Sequence, residues 1–274
     1  MAGIVVAANS QKRSVMQTEA RKAVSVLGVP LAYGANMAGV ELGPAALRVA
    51  RLNRRIAGLG YQVRDLGDLH VEQSPTAPEP GDKLKHLREI RAACEDLAER
   101  VEGVLQAGQL PLILGGDHSI AIGSISGFAS HCRKQNETPG LIWFDAHADM
   151  NTPETTPSGN IHGMPLAVIL GYGTPELTNV AGFAPKLDPA FCVHVGARDI
   201  DRDERELVAK LGIRFMTMRD IDERGMAACM DEAIQIVARA SGGYAVTFDV
   251  DALDPSVAPS TGTPVSKAPK FPII

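Results

Sequence analysis

Residues 141–151 read L-I-W-F-D-A-H-A-D-M-N. Leu141 to Phe144 are apolar and rich in strand formers, and they follow Pro139-Gly140, which marks a buried strand. Asp145, His147 and Asp149 then fall at every second position. In extended backbone, side chains two apart share a face, so two carboxylates and an imidazole converge at one strand end. Oxygen donors with some nitrogen suit a hard or borderline divalent cation. A polar loop follows, carrying Asn151, Thr152, Thr155, Thr156, Ser158 and Asn160, and it closes on His162.

One such triplet could be a solvated turn. Two further stretches argue against that. Leu112-Ile113-Leu114-Gly115-Gly116-Asp117-His118 is an apolar run ending in Asp-His, and Ala245 to Asp251 is an apolar run ending in Asp249 and Asp251. Three strands thus end in acids and imidazoles at their carboxyl side, where open α/β sheets bind ligands. The pattern predicts a two-metal site.

The 274 residues have a net charge of −5 and are 45% hydrophobic, enough for one large α/β core. No basic block suggests a nucleic-acid face, and no apolar run reaches membrane-spanning length. Cys94, Cys132, Cys192 and Cys229 are dispersed, which fits buried thiols in a reducing, cytoplasmic compartment. Residues 1–22 read as a mobile N-terminal tail, a bacterial leader rather than an organelle transit peptide.

Strands are expected at 24–29, 62–66, 110–115, 141–144, 189–195, 213–216 and 244–249. Gly43-Pro44 opens a helix running to about Arg55, with Pro44 in the first turn where its missing N–H is harmless. Residues 71–81 hold three prolines and read as a surface loop. Leu84, Leu87, Ile90, Ala93, Leu97, Val101 and Val104 form the apolar stripe of a helix over 82–107, stopped by Gly108. Ser119 is a candidate N-cap for the next helix; others are expected at 164–170, 202–211 and 226–240. Strands alternating with helices predict a parallel sheet in a single domain.

His118, Asp145, His147, Asp149, Asp249 and Asp251 are six candidate ligands, a set that suits two Mn²⁺ ions, with Zn²⁺ or Fe²⁺ also compatible. Such pairs lower the pKa of a shared water and generate hydroxide near neutral pH. Asp117 faces away from His118 in an extended segment and is expected to orient a ligand by hydrogen bonding. Asp254 reads as a turn acid. His162 could simply start a helix, or it could move protons at physiological pH.

The motifs G-G-D-H-S at 115–119, D-A-H-A-D-M-N at 145–151, S-G-N-I-H-G at 158–163 and F-D-V-D-A-L-D-P at 248–255 resemble the ureohydrolases, and the loop at 151–160 resembles that of the arginases. The resemblance spans residues 23–265. It implies a three-layer α/β/α sandwich with a mostly parallel sheet, two Mn²⁺ per subunit, and hydrolysis of L-arginine to L-ornithine and urea by a metal-bridging hydroxide. His118, Asp145, Asp149 and Asp249 would hold one ion, and Asp145, His147, Asp249 and Asp251 the other. Asp149 would pass the nucleophile's proton to the leaving amine, with His162 as shuttle. Asn151, Ser158 and Asn160 would receive the substrate carboxylate. Asp201, with Glu204 nearby, would receive its ammonium. A homotrimer or homohexamer is implied.

Past Val265 the resemblance stops. Residues 266–274 read as a non-family tail, and the family's guanidinium-contacting glutamate, last strand and last helix have no counterpart. That strand would lie between the strands ending at His118 and at Asp249, so two central strands are expected to lack a partner. The alternatives are an agmatinase or guanidinobutyrase, a metal-binding pseudoenzyme without turnover, and a two-metal phosphoesterase. Hydroxyl and amide donors in the loop would be left unpaired by agmatine, which lacks the carboxylate, and this favours arginine.

Overall fold

The computed structural model describes residues 4–8, 23–35, 37–72 and 83–266. Among the described residues, eight strands form one sheet: β1 (Ile4–Ala8), β2 (Val24–Val29), β3 (Val63–Asp68), β4 (Leu110–Gly115), β5 (Gly140–Phe144), β6 (Cys192–Ala197), β7 (Arg214–Thr217) and β8 (Tyr244–Phe248). Their order is β3-β2-β4-β1-β8-β5-β6-β7. Pairing is parallel throughout except at β1, which runs antiparallel to both β4 and β8.

Alternation along the strands divides the core. Ile113, Leu141, Trp143 and Ala245 face one layer, and Leu112, Leu114, Ile142 and Val246 face the other. The first layer is built on helices α3 (Leu87–Gln106) and α4 (Ile120–Lys134), with α5 (Pro165–Ile169), α6 (Pro175–Thr178) and α7 (Arg202–Leu211) beside them. The opposite face is covered by α1 (Gly43–Val49) and α2 (Leu52–Gly58) at one end and by α8 (Met218–Arg224) and α9 (Met226–Val237) at the other. The result is a three-layer α/β/α sandwich with a mostly parallel sheet. Glycines at positions 123 and 127 let α4 lie close on α3: a Cβ at Gly123 would stand 2.6 Å from the Cys94 carbonyl, and one at Gly127 would stand 2.3 Å from that of Ala98. All four cysteines are free and buried.

Several boundaries differ from the sequence reading. Residues 43–58 form two helices, broken where Arg51 adopts φ 63°. The long helix starts at Leu87, after His86 at φ 52°. Met218–Arg224 is helical, ahead of the expected 226–240 helix, and Gly225 at φ 79° separates the two. Ser119 stands at the N-cap of α4, but its side chain makes no capping bond and bonds Asp117 instead.

The larger correction concerns the tail. Ile4–Ala8, assigned to a mobile segment, is the strand between β4 and β8. Its I-V-V-A-A sequence is apolar and β-branched, which suits a central strand. The expected pair of partnerless central strands is therefore absent among the described residues. The remainder of the tail, most of the proline-rich loop and the segment from 267 onward lie outside the described residues.

Candidate metal centre and substrate pocket

All six predicted ligands gather at the carboxyl ends of β4, β5 and β8, and they line one cavity. His118 lies just past β4 and is buried, its ring stacked on Trp143 at 4.3 Å between centroids. Its Nδ1 is 2.8 Å from Asp145 Oδ2, 3.0 Å from Asp149 Oδ2 and 3.4 Å from Asp249 Oδ2. A single imidazole N–H satisfies one acceptor, so three converging carboxylates call for a cation in its place. Octahedral bonds of about 2.1 Å set neighbouring donors roughly 3 Å apart, close to the spacing seen here. On the other side His147 Nδ1 lies 3.4 Å from Asp145 Oδ1 and 3.2 Å from Asp251 Oδ2. Two groups result, His118–Asp145–Asp249 and Asp145–His147–Asp251, sharing Asp145.

The convergence is not all strand alternation. Asp149 has φ 53°, so the chain has already turned when it delivers this carboxylate. The turn is held by Leu166 and Ala167, whose amides donate to the Asp149 carbonyl at 3.0 and 3.2 Å. Asp251 sits in a 3-10 turn over Val250–Ala252, and the Asp249 carboxylate accepts from the Asp251 amide at 3.0 Å.

Protonation in the cluster reports what it lacks. Burial would lower the His118 pKa, but hydrogen bonds to Asp145 and Asp149 win and raise it well above the usual value. Burial is likewise overcome at His147 by Asp145 and Asp251, which raise it to about 12. Asp145, despite burial, is held well below the carboxylate range by its two histidine partners. Burial followed by repulsion from Asp145 pushes Asp149 well up, and burial with Asp251 and Asp145 pushes Asp249 up to about 8. Protons are thus drawn into a nest of carboxylates with which no lysine or arginine side chain among the described residues forms an ion pair. Two divalent ions would supply that charge, and the residues present fit them.

Around the cluster stand residues the sequence reading missed. Thr247 Oγ1 bonds His118 Nε2 at 2.8 Å, leaving Nδ1 for the ligand side. The Thr263 hydroxyl donates to Asp251 Oδ2 at 2.8 Å. His194 Nε2 donates to the His147 carbonyl at 2.7 Å, and its ring stacks on Phe215. The Arg198 guanidinium donates to the carbonyls of Gly196, Ala252, Asp251 and Val265, tying β6 to the segments after β8. Thr247 alternates with Ala245 on one face of its strand, a weak polar signal in an apolar run. The others gave no pattern at all. Asp117 does not touch a ligand side chain: its carboxylate accepts from the amides of Gly34 (2.8 Å) and Ser119 (2.9 Å) and from the Ser119 hydroxyl.

The polar loop closes the cavity. Asn151, Ser158, Asn160, His162, Asp201 and Glu204 all line it. Asn151 Nδ2 donates to Asp201 Oδ2 at 3.1 Å, and its Oδ1 accepts from Thr155 at 2.9 Å. Lys85 Nζ donates to Asn160 Oδ1 at 3.0 Å, which leaves the Asn160 amide as a donor. Ser158 Oγ accepts from the Asn160 backbone N–H at 3.2 Å. Glu204 is buried, and both its carboxylate oxygens are taken by backbone, one by the Met150 amide (2.9 Å) and one by the Asp201 amide (2.8 Å). It braces the site. Burial, then the charge on His147, pushes the His162 pKa down to about 4, so its imidazole is neutral at physiological pH.

A model of the arginase family matches residues 22–268. The chain belongs to the arginase family. It is 44% identical over 245 residues to an arginase of Bacillus caldovelox, covering 89% of this chain and 81% of that one. It is 46% identical over 244 residues to an arginase of Brevibacillus brevis, covering 89% and 80%. The solved structure of an arginase from Bacillus caldovelox superimposes with a TM-score of 0.85 at 43% identity, over 90% of this chain and 82% of that chain. In this arginase-family chain, the strand ends that carry the candidate ligands are those the motifs marked, and the antiparallel β1 lies between two of them.

Proposed function

We propose that this chain hydrolyses L-arginine to L-ornithine and urea at a pair of Mn²⁺ ions. The observation that carries the reading is the pair of acid–histidine groups sharing Asp145, in a cavity rimmed by a loop of amide and hydroxyl groups. His118, Asp145, Asp149 and Asp249 would hold one ion, and Asp145, His147, Asp249 and Asp251 the other. When bound, the ions supply a water acidified to hydroxide and Lewis-acid stabilisation of developing charge.

The remaining work falls to side chains. The Asp149 carboxylate accepts the nucleophile's proton and returns it to the departing amine. His162, which lines the same cavity, relays protons between solvent and the departing amine. The Asn160 amide, freed by the Lys85 bond to its oxygen, donates to the substrate carboxylate together with Ser158 and Asn151. Asp201 receives the α-ammonium, its position set by Asn151 and Glu204. Agmatine would leave the carboxylate-facing donors without an acceptor, and a site built to hydrogen-bond a group rejects the analogue lacking it.

The reading extends to a cytoplasmic enzyme of arginine metabolism that assembles as a homotrimer or homohexamer. No helix among the described residues is long and apolar enough to cross a membrane. Urea release should be followed for L-arginine, agmatine and 4-guanidinobutyrate, with Mn²⁺ and after chelation. Mn²⁺-dependent urea from L-arginine alone is expected. Folded, metal-loaded protein that releases none, or that prefers agmatine, refutes the assignment.

A further inference from the structure

The sheet consists of two parallel halves, β3-β2-β4 and β8-β5-β6-β7, and β1 is what hydrogen-bonds one to the other. The two metal groups are divided unequally by this seam. Asp145, His147 and Asp251 all come from the β5 and β8 half. His118 alone comes from the β4 half, to meet Asp145 and Asp249 across the seam. We infer that Ile4–Ala8 is a positioning strand that sets the His118–Asp145–Asp249 half of the metal centre by holding the two half-sheets in register, an inference that rests on the two-ion reading above.

The register is explicit. Ile4 lies opposite Leu114 on one side and Phe248 on the other; Val5 lies opposite Ile113 and Thr247; Val6 lies opposite Leu112 and Val246. Leu114 is thereby level with Phe248, and His118 arrives beside Thr247 Oγ1 and Asp249. A slip of one residue moves a strand about 3.4 Å and reverses its faces. That displacement is as large as the distances joining His118 to Thr247 and Asp249, so the bonds across the seam depend on the register. The Asp145–His147–Asp251 group lies on one side of the seam and does not.

The occupant is the chain's own segment. Ala8 pairs with Tyr244, at the same end of the sheet where Val24 pairs with Leu110, and β4 alone separates β1 from β2. Two strand spacings are about 10 Å. The 14 residues from 9 to 22 reach several times that far at about 3.3 Å each, so the connection closes within one chain.

The test uses the full chain carrying Val5→Pro and Ala7→Pro, which removes two amide donors from a central strand. Mn²⁺ binding is titrated by calorimetry and by electron paramagnetic resonance. The expected result is one ion bound nearly as in the parent and the second weakened about 10- to 100-fold, the range for losing support of a ligand. The coupled two-ion signal gives way to an isolated one, and Val5→Ile behaves as the parent. Should the double proline fail to fold, Val5→Gly is titrated instead, with the same asymmetry at smaller size. Equal weakening of both ions in a folded variant, or no change, overturns the inference. A second measurement places the strand: Ile4→Cys with Phe248→Cys is expected to join within one chain under a short thiol cross-linker. Cross-linking only between chains, or none, also overturns it. A parent that binds fewer than two ions defeats the two-ion reading instead.

Discussion

Glu204 offers the sharpest separation between a substrate contact and a structural brace. Its two carboxylate oxygens accept from the Met150 amide at 2.9 Å and the Asp201 amide at 2.8 Å. One bond fixes the chain directly after Asp149, and the other starts α7 beneath Asp201. Hydrogen bonds to a charged group contribute about 1.5–3 kcal/mol each. The Met150 amide is buried and, without its partner, costs most of that. The Asp201 amide is near the rim, where water replaces the carboxylate at smaller loss. Glu204→Ala is therefore expected to destabilise the metal-free chain by about 2–4 kcal/mol. For a domain of this size that is a fall in Tm of roughly 5–12 °C. Glu204→Gln keeps the shape but offers one acceptor oxygen and turns an NH₂ toward the other amide. It should fall between parent and alanine variant. Thermal melts monitored by circular dichroism, with chelator present, measure this. Because the Met150 bond steadies Asp149, Mn²⁺ affinity should fall in the same order. An alanine variant within about 0.5 kcal/mol of the parent refutes the brace. So does one with normal stability whose only defect is a raised KM for L-arginine.

Asp149 is pressed by burial and by Asp145, so Asp149→Asn should leave the metal-free chain as stable as the parent or more so. The same variant should lose much of the stabilisation that Mn²⁺ brings, which for the parent is about 2.7 kcal/mol at 100 times Kd. Melts with chelator and with Mn²⁺ decide it, and a variant destabilised without metal contradicts the crowding of carboxylates. At the far edge of the sheet Arg48 grips Asp65 with two bonds of 2.9 Å, and that hydrogen bonding holds the Asp65 pKa down to about 2. The folded value lies below the ordinary aspartate value of 3.8, so the stabilisation is present above pH 3.8 and is lost as pH falls through 2. Asp65→Asn should cost about 1 kcal/mol at pH 7, since the pair is partly exposed. Denaturant titrations at pH 7, 4 and 2 should show the gap closing with acid; a gap that widens would reverse the sign.

The six metal-ligand candidates were legible because strand ends mark themselves twice, by an apolar run and by the acids or imidazole that follow it. The supporting shell was not. Thr247, Thr263, His194, Arg198 and Trp143 reach the ligands from other segments, and Glu204 works through backbone amides; a single side chain carries no sequence signal of a partner 54 residues away. Helix breaks at Arg51 and His86 were also hidden, since residues other than glycine hold a left-handed backbone only when their surroundings impose it.

By itself the sequence determined the alternation of strands and helices, the mostly parallel sheet and the candidate ligand set, because hydrophobic period and chain order are local properties. Only the tertiary structure decided how Asp149 and Asp251 reach the cluster, since the first turns through φ 53° and the second through a 3-10 turn. Only it decided where I-V-V-A-A belongs. Five apolar residues near the amino terminus are as compatible with a short helix or a tail as with a strand. What selects the strand is a slot between β4 and β8, two elements 129 residues apart at His118 and Thr247, whose backbone groups need a partner that no local pattern names.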